Sequence, residues 1–227
     1  MKQSKEKLEK IIKKNMKWFV LAICTVIIIE IVEDLLENEI HIFDNSIYYC
    51  IAKIISEPTT SFAKMITQMG SAYVIVPLCA ILTILFWNKK WGKYITINLI
   101  ISFISNQLLK QVVARPRPEG FRLIEESGYS FPSGHSMVSL AFYGFLIYLI
   151  AKKVKNPYGR WSLIISISIL IVCIGLSRIY LGVHYASDVV AGFCISISYL
   201  ILFTNLIKNA VTEGINDKDY LEEGEEK

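Results

Sequence analysis

Six long apolar runs, about Trp18 to Val32, Met65 to Trp87, Tyr94 to Leu109, Met137 to Ala151, Trp161 to Leu176 and Val189 to Ile207, dominate this chain of 227 residues. With 53% hydrophobic residues, the apolar surface exceeds what one soluble core would take up, and a membrane is its natural solvent. Backbone N–H and C=O groups cannot stay unpaired in hydrocarbon, so the runs are expected to be helices. The expected fold is all-α, a polytopic integral membrane protein built as a six-transmembrane-helix bundle. Several runs are shorter than the roughly 20 residues that a perpendicular span requires, so their helices should extend into the flanking polar stretches.

Charge along the chain orients this bundle. Seven Lys lie within the first 17 residues, and the short stretches Asn88 to Lys93 (NKKWGK) and Lys152 to Arg160 (KKVKNPYGR) are also basic. Basic loops stay on the cytoplasmic side, so both termini are expected inside a cell (plasma) membrane. The segment Glu33 to Lys64 holds six acidic residues against two basic ones and falls on the outer face. Residues 1–17 then form a basic juxtamembrane segment, 18–207 the membrane domain and 208–227 an acidic cytoplasmic tail expected to be partly disordered. Leu8, Ile11, Ile12 and Met16 share a helical face, so the N-terminal segment either lies on the inner leaflet or simply extends the first helix. No small-residue cleavage pattern precedes Glu30 and Glu33, which argues for a retained first helix over a signal peptide.

Composition also narrows the function classes. A net charge of +4 is too small to suggest nucleic acid as a partner. The five Cys show no CxxC spacing and read as small core hydrophobes, with no metal site among them. A transporter would carry charges in mid-span facing a pathway; here the notable charges gather at helix ends on one side.

Three stretches at the edges of the apolar runs carry the chemistry: Lys110 to Pro118 (KQVVARPRP), Pro132 to His135 (PSGH) and Ser177 to Asp188 (SRIYLGVHYASD). Four residues separate His184 from Asp188, a spacing that puts both on one face of a helix opening the sixth span. A carboxylate there holds one imidazole nitrogen protonated and leaves the other free as a nucleophile or base. Lys110, Arg117 and Arg178 are cations suited to phosphate, the guanidinium groups by two-point contact and Lys as a point charge. Pro116 and Pro118 stiffen the first stretch. Ser133 and Gly134 fall at a helix N-terminus, where backbone N–H groups and the helix dipole seat an anion, and His135 is placed to protonate a leaving oxygen. Singly, each feature has a structural explanation, from snorkelling cations to an ordinary Ser cap.

Other residues carry lower weight. Arg115, Arg122, Glu125 and Glu126 either contact a headgroup or, as the weightier reading, form a solvated loop face. Asn98, Ser102, Ser105 and Asn106 form a polar stripe that interhelical packing explains, with lining of a cavity beneath the site as the alternative, and Tyr129 and Phe131 read as aromatic interface anchors.

Jointly, the three motifs resemble the signature of the type 2 phosphatidic acid phosphatase superfamily. A Lys stands seven before Arg-Pro, then comes Pro-Ser-Gly-His, then Ser-Arg with a His seven and an Asp eleven residues after the Ser. The resemblance covers about Gly70 to Leu200, and the stretch Arg117 to Ser136 looks most like bacterial phosphatidylglycerophosphatase B-type enzymes. It implies a metal-independent hydrolase without cofactors that acts on membrane lipid phosphates at the outer leaflet. By the same resemblance His184 is the nucleophile that forms a phosphohistidine, Asp188 its orienting partner and His135 the general acid. Lys110, Arg117, Ser133, Gly134 and Arg178 resemble the phosphate pocket, and Ser177 a support for local geometry. Phosphatidylglycerophosphate is the first expectation for the substrate, with undecaprenyl diphosphate and phosphatidic acid as alternatives. A vanadate-dependent haloperoxidase shares the pocket pattern but is soluble, which the apolar runs oppose.

Overall fold

The computed structural model describes residues 2–37 and 39–222, with side-chain surroundings for 15–37 and 39–212. Its elements are α1 (Lys2–Glu37), α2 (His41–Ala52), α3 (Glu57–Gln68), α4 (Ala72–Leu85), α5 (Lys93–Val113), α6 (Gly134–Lys153), α7 (Pro157–Tyr180) and α8 (Ala186–Glu222). No strand occurs among the described residues.

Local chemistry starts and stops these helices. Ser56 caps α3 in a reciprocal capping box with Thr59. Asn156 caps α7 ahead of Pro157, whose missing N–H costs nothing in a first turn. At the other end of α5, Ala114 turns left-handed with φ 51°, and the following prolines bar any continuation.

The centre is α6, which packs against α5, α7 and α8, while α1 lies on α8 and α3 on α7. Phe142 and Phe145 of α6 are fully buried with Ile95 of α5 and Ile174 of α7. The exterior stays apolar, with Phe19, Ile29, Ile84, Val112, Ile169 and Leu206 all exposed. Such a surface suits lipid, not water.

Among the described residues three helices are long and apolar enough to cross a membrane: α6, α7 and α8 from Ala186 to Thr212. A fourth span results if α3 and α4, bent by 40° at their junction, count as one. The expected six-span count is therefore supported only to three or four. In α5 the stripe of Asn98, Ser102 and Asn106, buried as interhelical packing requires, lowers the hydropathy of the helix.

The second apolar run, read as one span, is broken between Gln68 and Ala72. Gly70 is the reason: a Cβ there would lie 2.6 Å from Ile174 Cγ2 and 3.3 Å from the His135 ring. The break lets bare backbone press against the helix that carries His135. At the C-terminus, the tail expected to lose regular structure instead continues α8 to Glu222, and 223–227 lie outside the described residues. The apolar face formed by Leu8, Ile11 and Ile12 also lies outside the described side chains.

Candidate active site

His184 stands in the turn between α7 and α8, not on α8 itself as its spacing from Asp188 suggested. The turn depends on Gly182, whose φ of 70° and whose approach to the Phe121 carbonyl, 2.2 Å from a hypothetical Cβ, admit no side chain. Asp188, in the first turn of α8, reaches back: its Oδ2 accepts the Tyr185 N–H at 2.9 Å and faces His184 Nδ1 at 3.4 Å. The other imidazole nitrogen, Nε2, lies 3.0 Å from Nη1 of Arg117. A guanidinium can only donate, so Nε2 is the acceptor and the ring proton sits on Nδ1, toward Asp188. Burial lowers the His184 pKa to about 4 against the opposing pull of Asp188, so the ring is neutral at physiological pH, with its Nε2 lone pair accepting from Arg117.

Arg117 contacts this nitrogen and lines the cavity beside it, and Arg178 is joined to Arg117 through Glu126. Arg117 is fixed by the carbonyls of Ser127, Gly128 and Val183, to which it donates at 2.9 to 3.2 Å. Arg178, only 1% exposed, donates to Thr67 Oγ1 at 2.9 Å and to Glu126 Oε2 at 2.6 Å, while its Nε has no partner. Glu126 Oε1 lies 3.8 Å from Arg117 Nη2, so one carboxylate spans both cations. Burial raises the Glu126 carboxyl, but the charge and hydrogen bond of Arg178, with the charges of His135 and Arg117, outweigh that and hold its pKa below the usual range. Glu126 is thus an anion bridging two arginines, with its side chain only about a third exposed. Glu126→Gln is expected to tighten inhibition by inorganic phosphate by up to about tenfold, since a neutral amide competes more weakly for the arginines. Product-inhibition kinetics would read this directly, and weaker inhibition would contradict it.

The remaining sequence-derived residues divide into two groups. Lys110, at the end of α5, donates to the Tyr129 carbonyl, and Gly134, His135, Arg117 and His184 line the same cavity as Lys110. Gly134 allows α5 to come close, because a Cβ would meet Asn106 Oδ1 at 3.1 Å. Ser133, by contrast, is fully buried, and its hydroxyl accepts from Ser136 N–H and Ser136 Oγ as the cap of α6. The cap leaves the backbone N–H groups of Gly134 and His135, which have no partner within a helix, at the cavity end. Ser177 Oγ donates to the Ile174 carbonyl at 2.6 Å and holds the end of α7.

The cavity measures about 770 Å³, and all its charged and histidine side chains lie at this end. It continues between α4 and α5 along Ile75, Val76, Cys79, Leu99, Ile100, Phe103 and Ile104. Val76, Ile100, Phe103 and Ile104 are also exposed on the outer surface, so the slot opens sideways. A smaller cavity of about 190 Å³ lies on the other side of His184, between α2 and the loop from Pro118 to Phe121.

Sequence reasoning missed Thr67 and Asp44 and gave Arg115 little weight. Thr67, at the end of α3, holds Arg178. Arg115 ion-pairs with Asp188 at 2.7 Å and with Asp44 of α2 at 2.7 Å. Nothing local marks Asp44, and the sequence signal for Arg115 was only its place in the RPRP run. Phe131, expected as an interface anchor, is instead buried with Ile31 and Ala191. Among the described residues no group of three His, Cys, Asp or Glu side chains is arranged to hold a metal ion.

The family model described as the PAP2 superfamily matches residues 90–211. Phosphatidylglycerophosphatase B of Bacillus subtilis is 34% identical over 143 residues, which cover 61% of this chain and 69% of that protein. An undecaprenyl-diphosphatase of Sulfolobus acidocaldarius is 32% identical over 143 residues, covering 60% of this chain and 65% of that protein. The crystal structure of a transmembrane PAP2 type phosphatidylglycerolphosphate phosphatase from Bacillus subtilis shares the fold, with a TM-score of 0.76, 24% identity and coverage of 84% of this chain and 97% of that one. With a family model spanning more than half of its residues, the chain belongs to the PAP2 superfamily and is a phosphoric ester hydrolase acting on lipid phosphates.

Proposed function

We propose that the enzyme removes the terminal phosphate of a membrane lipid at the outer leaflet through a phosphohistidine on His184. The observation that carries this reading is the single cavity, which is cationic at the His184 end and apolar between α4 and α5. A phosphate fits the first part and a hydrocarbon chain the second, so a lipid could enter sideways without leaving the bilayer.

In the first step the bound phosphate oxygens draw off the Arg117 donor, the freed Nε2 lone pair of His184 forms a bond to phosphorus as the bond to the leaving oxygen breaks, and His135 gives that oxygen a proton. The negative charge of the bound phosphate favours the protonated His135 this requires. Asp188 stabilises the positive charge that develops on His184, and Lys110, Arg117, Arg178 and the first N–H groups of α6 stabilise the equatorial oxygens. In the second step His135 accepts a proton from water, the water oxygen bonds to phosphorus, and the N–P electron pair returns to His184.

On this reading α1 and α5 complete a six-span bundle with both termini cytoplasmic, supported by the basic loops at one end. Phosphatidylglycerophosphate is the substrate favoured by the Bacillus subtilis relative, and undecaprenyl diphosphate by the Sulfolobus acidocaldarius one. Purified enzyme in EDTA is expected to release phosphate from detergent-dispersed lipid phosphates and to be inhibited by vanadate. Comparing turnover of phosphatidylglycerophosphate, undecaprenyl diphosphate and phosphatidic acid would identify the substrate. No release from any of them by folded protein would refute the reading.

The slot itself is open to test. Val76→Trp fills it midway, and we expect kcat/KM for long-chain substrates to fall by about 10-fold or more, while a soluble aryl phosphate is turned over as before. Equal losses on both substrates would exclude the slot as the chain's path.

A further inference from the structure

The loop before the PSGH motif and the short helix α2 meet behind the nucleophile in a chain of charges. Asp44 of α2 is 2% exposed, Arg115 6% and Asp188 not at all. Arg115 lies between the two carboxylates, with Nη2 2.7 Å from Asp44 Oδ2 and Nη1 2.7 Å from Asp188 Oδ1. Asp44 Oδ1 accepts the Ser187 N–H at 2.8 Å, and its Oδ2 also accepts the Ser187 hydroxyl at 2.9 Å. Asp188 Oδ2 takes the Tyr185 N–H and His184 Nδ1. Each of the four carboxylate oxygens therefore has a donor. The Arg115 guanidinium also stacks on the Tyr185 ring, 3.9 Å from its centre.

Stability alone does not account for such an arrangement. A buried cation with two carboxylates costs desolvation that apolar side chains of similar volume would avoid. What apolar packing cannot supply is a fixed carboxylate orientation. Asp188 must keep Oδ2 turned to His184, and a carboxylate held at one oxygen only is free to rotate about χ2. The smaller cavity behind His184 removes packing that would otherwise restrain the ring there. Polar contacts must do so instead.

We propose that Asp44 and Arg115 are positioning residues of the reaction: Arg115 clamps Oδ1 of Asp188 so that Oδ2 holds the His184 ring for attack, and Asp44 fixes Arg115. The proposal rests on the phosphatase reading with His184 as nucleophile. It makes the docking of α2 a condition for attack, although no residue of α2 touches the phosphate seat.

The test uses full-length enzyme in detergent with dioctanoyl phosphatidic acid. Asp44→Asn, which preserves shape, and Arg115→Met are expected to lower kcat about 10- to 100-fold, as misplacement of a reacting group does. KM and inhibition by inorganic phosphate should change less than about twofold, because the seat is untouched. Rapid-quench trapping of radiolabelled phosphoenzyme should give slower formation. In an Asp188→Asn background, Asp44→Asn should add little further loss, the mark of residues acting through one another. Unaltered kcat in either folded variant, an equal loss in the Asp188→Asn background, or an Asp44→Asn protein that fails to fold would overturn the inference. Active unaltered enzyme in those cases leaves the phosphatase reading standing.

Discussion

Replacing His184 by alanine is expected to abolish lipid phosphate hydrolysis, with kcat lowered by roughly 10⁴-fold or more, while the protein folds and still binds inorganic phosphate. The size follows from the role proposed for this nitrogen: without a nucleophile no covalent intermediate forms, and only the phosphate seat and binding remain. Enzyme incubated with radiolabelled substrate and denatured in alkaline detergent should carry a base-stable, acid-labile label in the unaltered protein and none in His184→Ala. Retained turnover in that variant would remove His184 from the reaction. The pH dependence gives a second handle, because kcat/KM reports the free enzyme. The His184 pKa lies at about 4, below the ordinary value of 6.5, and the neutral ring is the reactive form. The limb governed by His184 should therefore be full through pH 6 to 5, where an ordinary histidine has begun to lose its lone pair, and should fall as pH drops through about 4.

Arg178→Met is the second large effect, an expected loss of roughly 10²- to 10³-fold in kcat/KM carried mainly by kcat. Arg178 is enclosed, its Nε has no protein partner, and its Nη2 is engaged by the partly exposed Glu126, which can rotate away toward water. Substrate phosphate then meets a rigid donor in a site with little water to screen it, and the interaction strengthens as charge builds on the equatorial oxygens. Folding should survive, because methionine replaces a buried cation with apolar volume. Arg178→Lys restores the charge but not the forked geometry, and only partial recovery is expected. A kinetic profile for Arg178→Met equal to that of the unaltered enzyme would show that phosphate binds elsewhere.

The parts of the site that were legible from the chain were those whose neighbours lie close in sequence. The His184 to Asp188 spacing, the helix opened at PSGH and the Lys110 to Arg117 interval all act within one or two helical turns. Even there, the backbone differed: His184 sits in a turn, and its bond to Asp188 arises because the carboxylate folds back over the start of α8. Glu126 was given little weight because its surroundings, EESG, have the composition of a solvated loop. Its partner Arg178 is 52 positions away, and only packing brings the two together. The same holds for Asp44 and Arg115, 71 positions apart.

By itself the chain determined the helical class, the membrane as its solvent, and the residue types suited to phosphate at the ends of its apolar runs. These follow from apolar run length, helix caps and charge bias, all local quantities. Tertiary structure decided the break at Gly70, the docking of α2, the seating of Glu126 between two arginines and the slot between α4 and α5. Each depends on which surfaces meet when apolar faces are buried, and that choice is made by long-range packing, to which no single segment's pattern is sensitive.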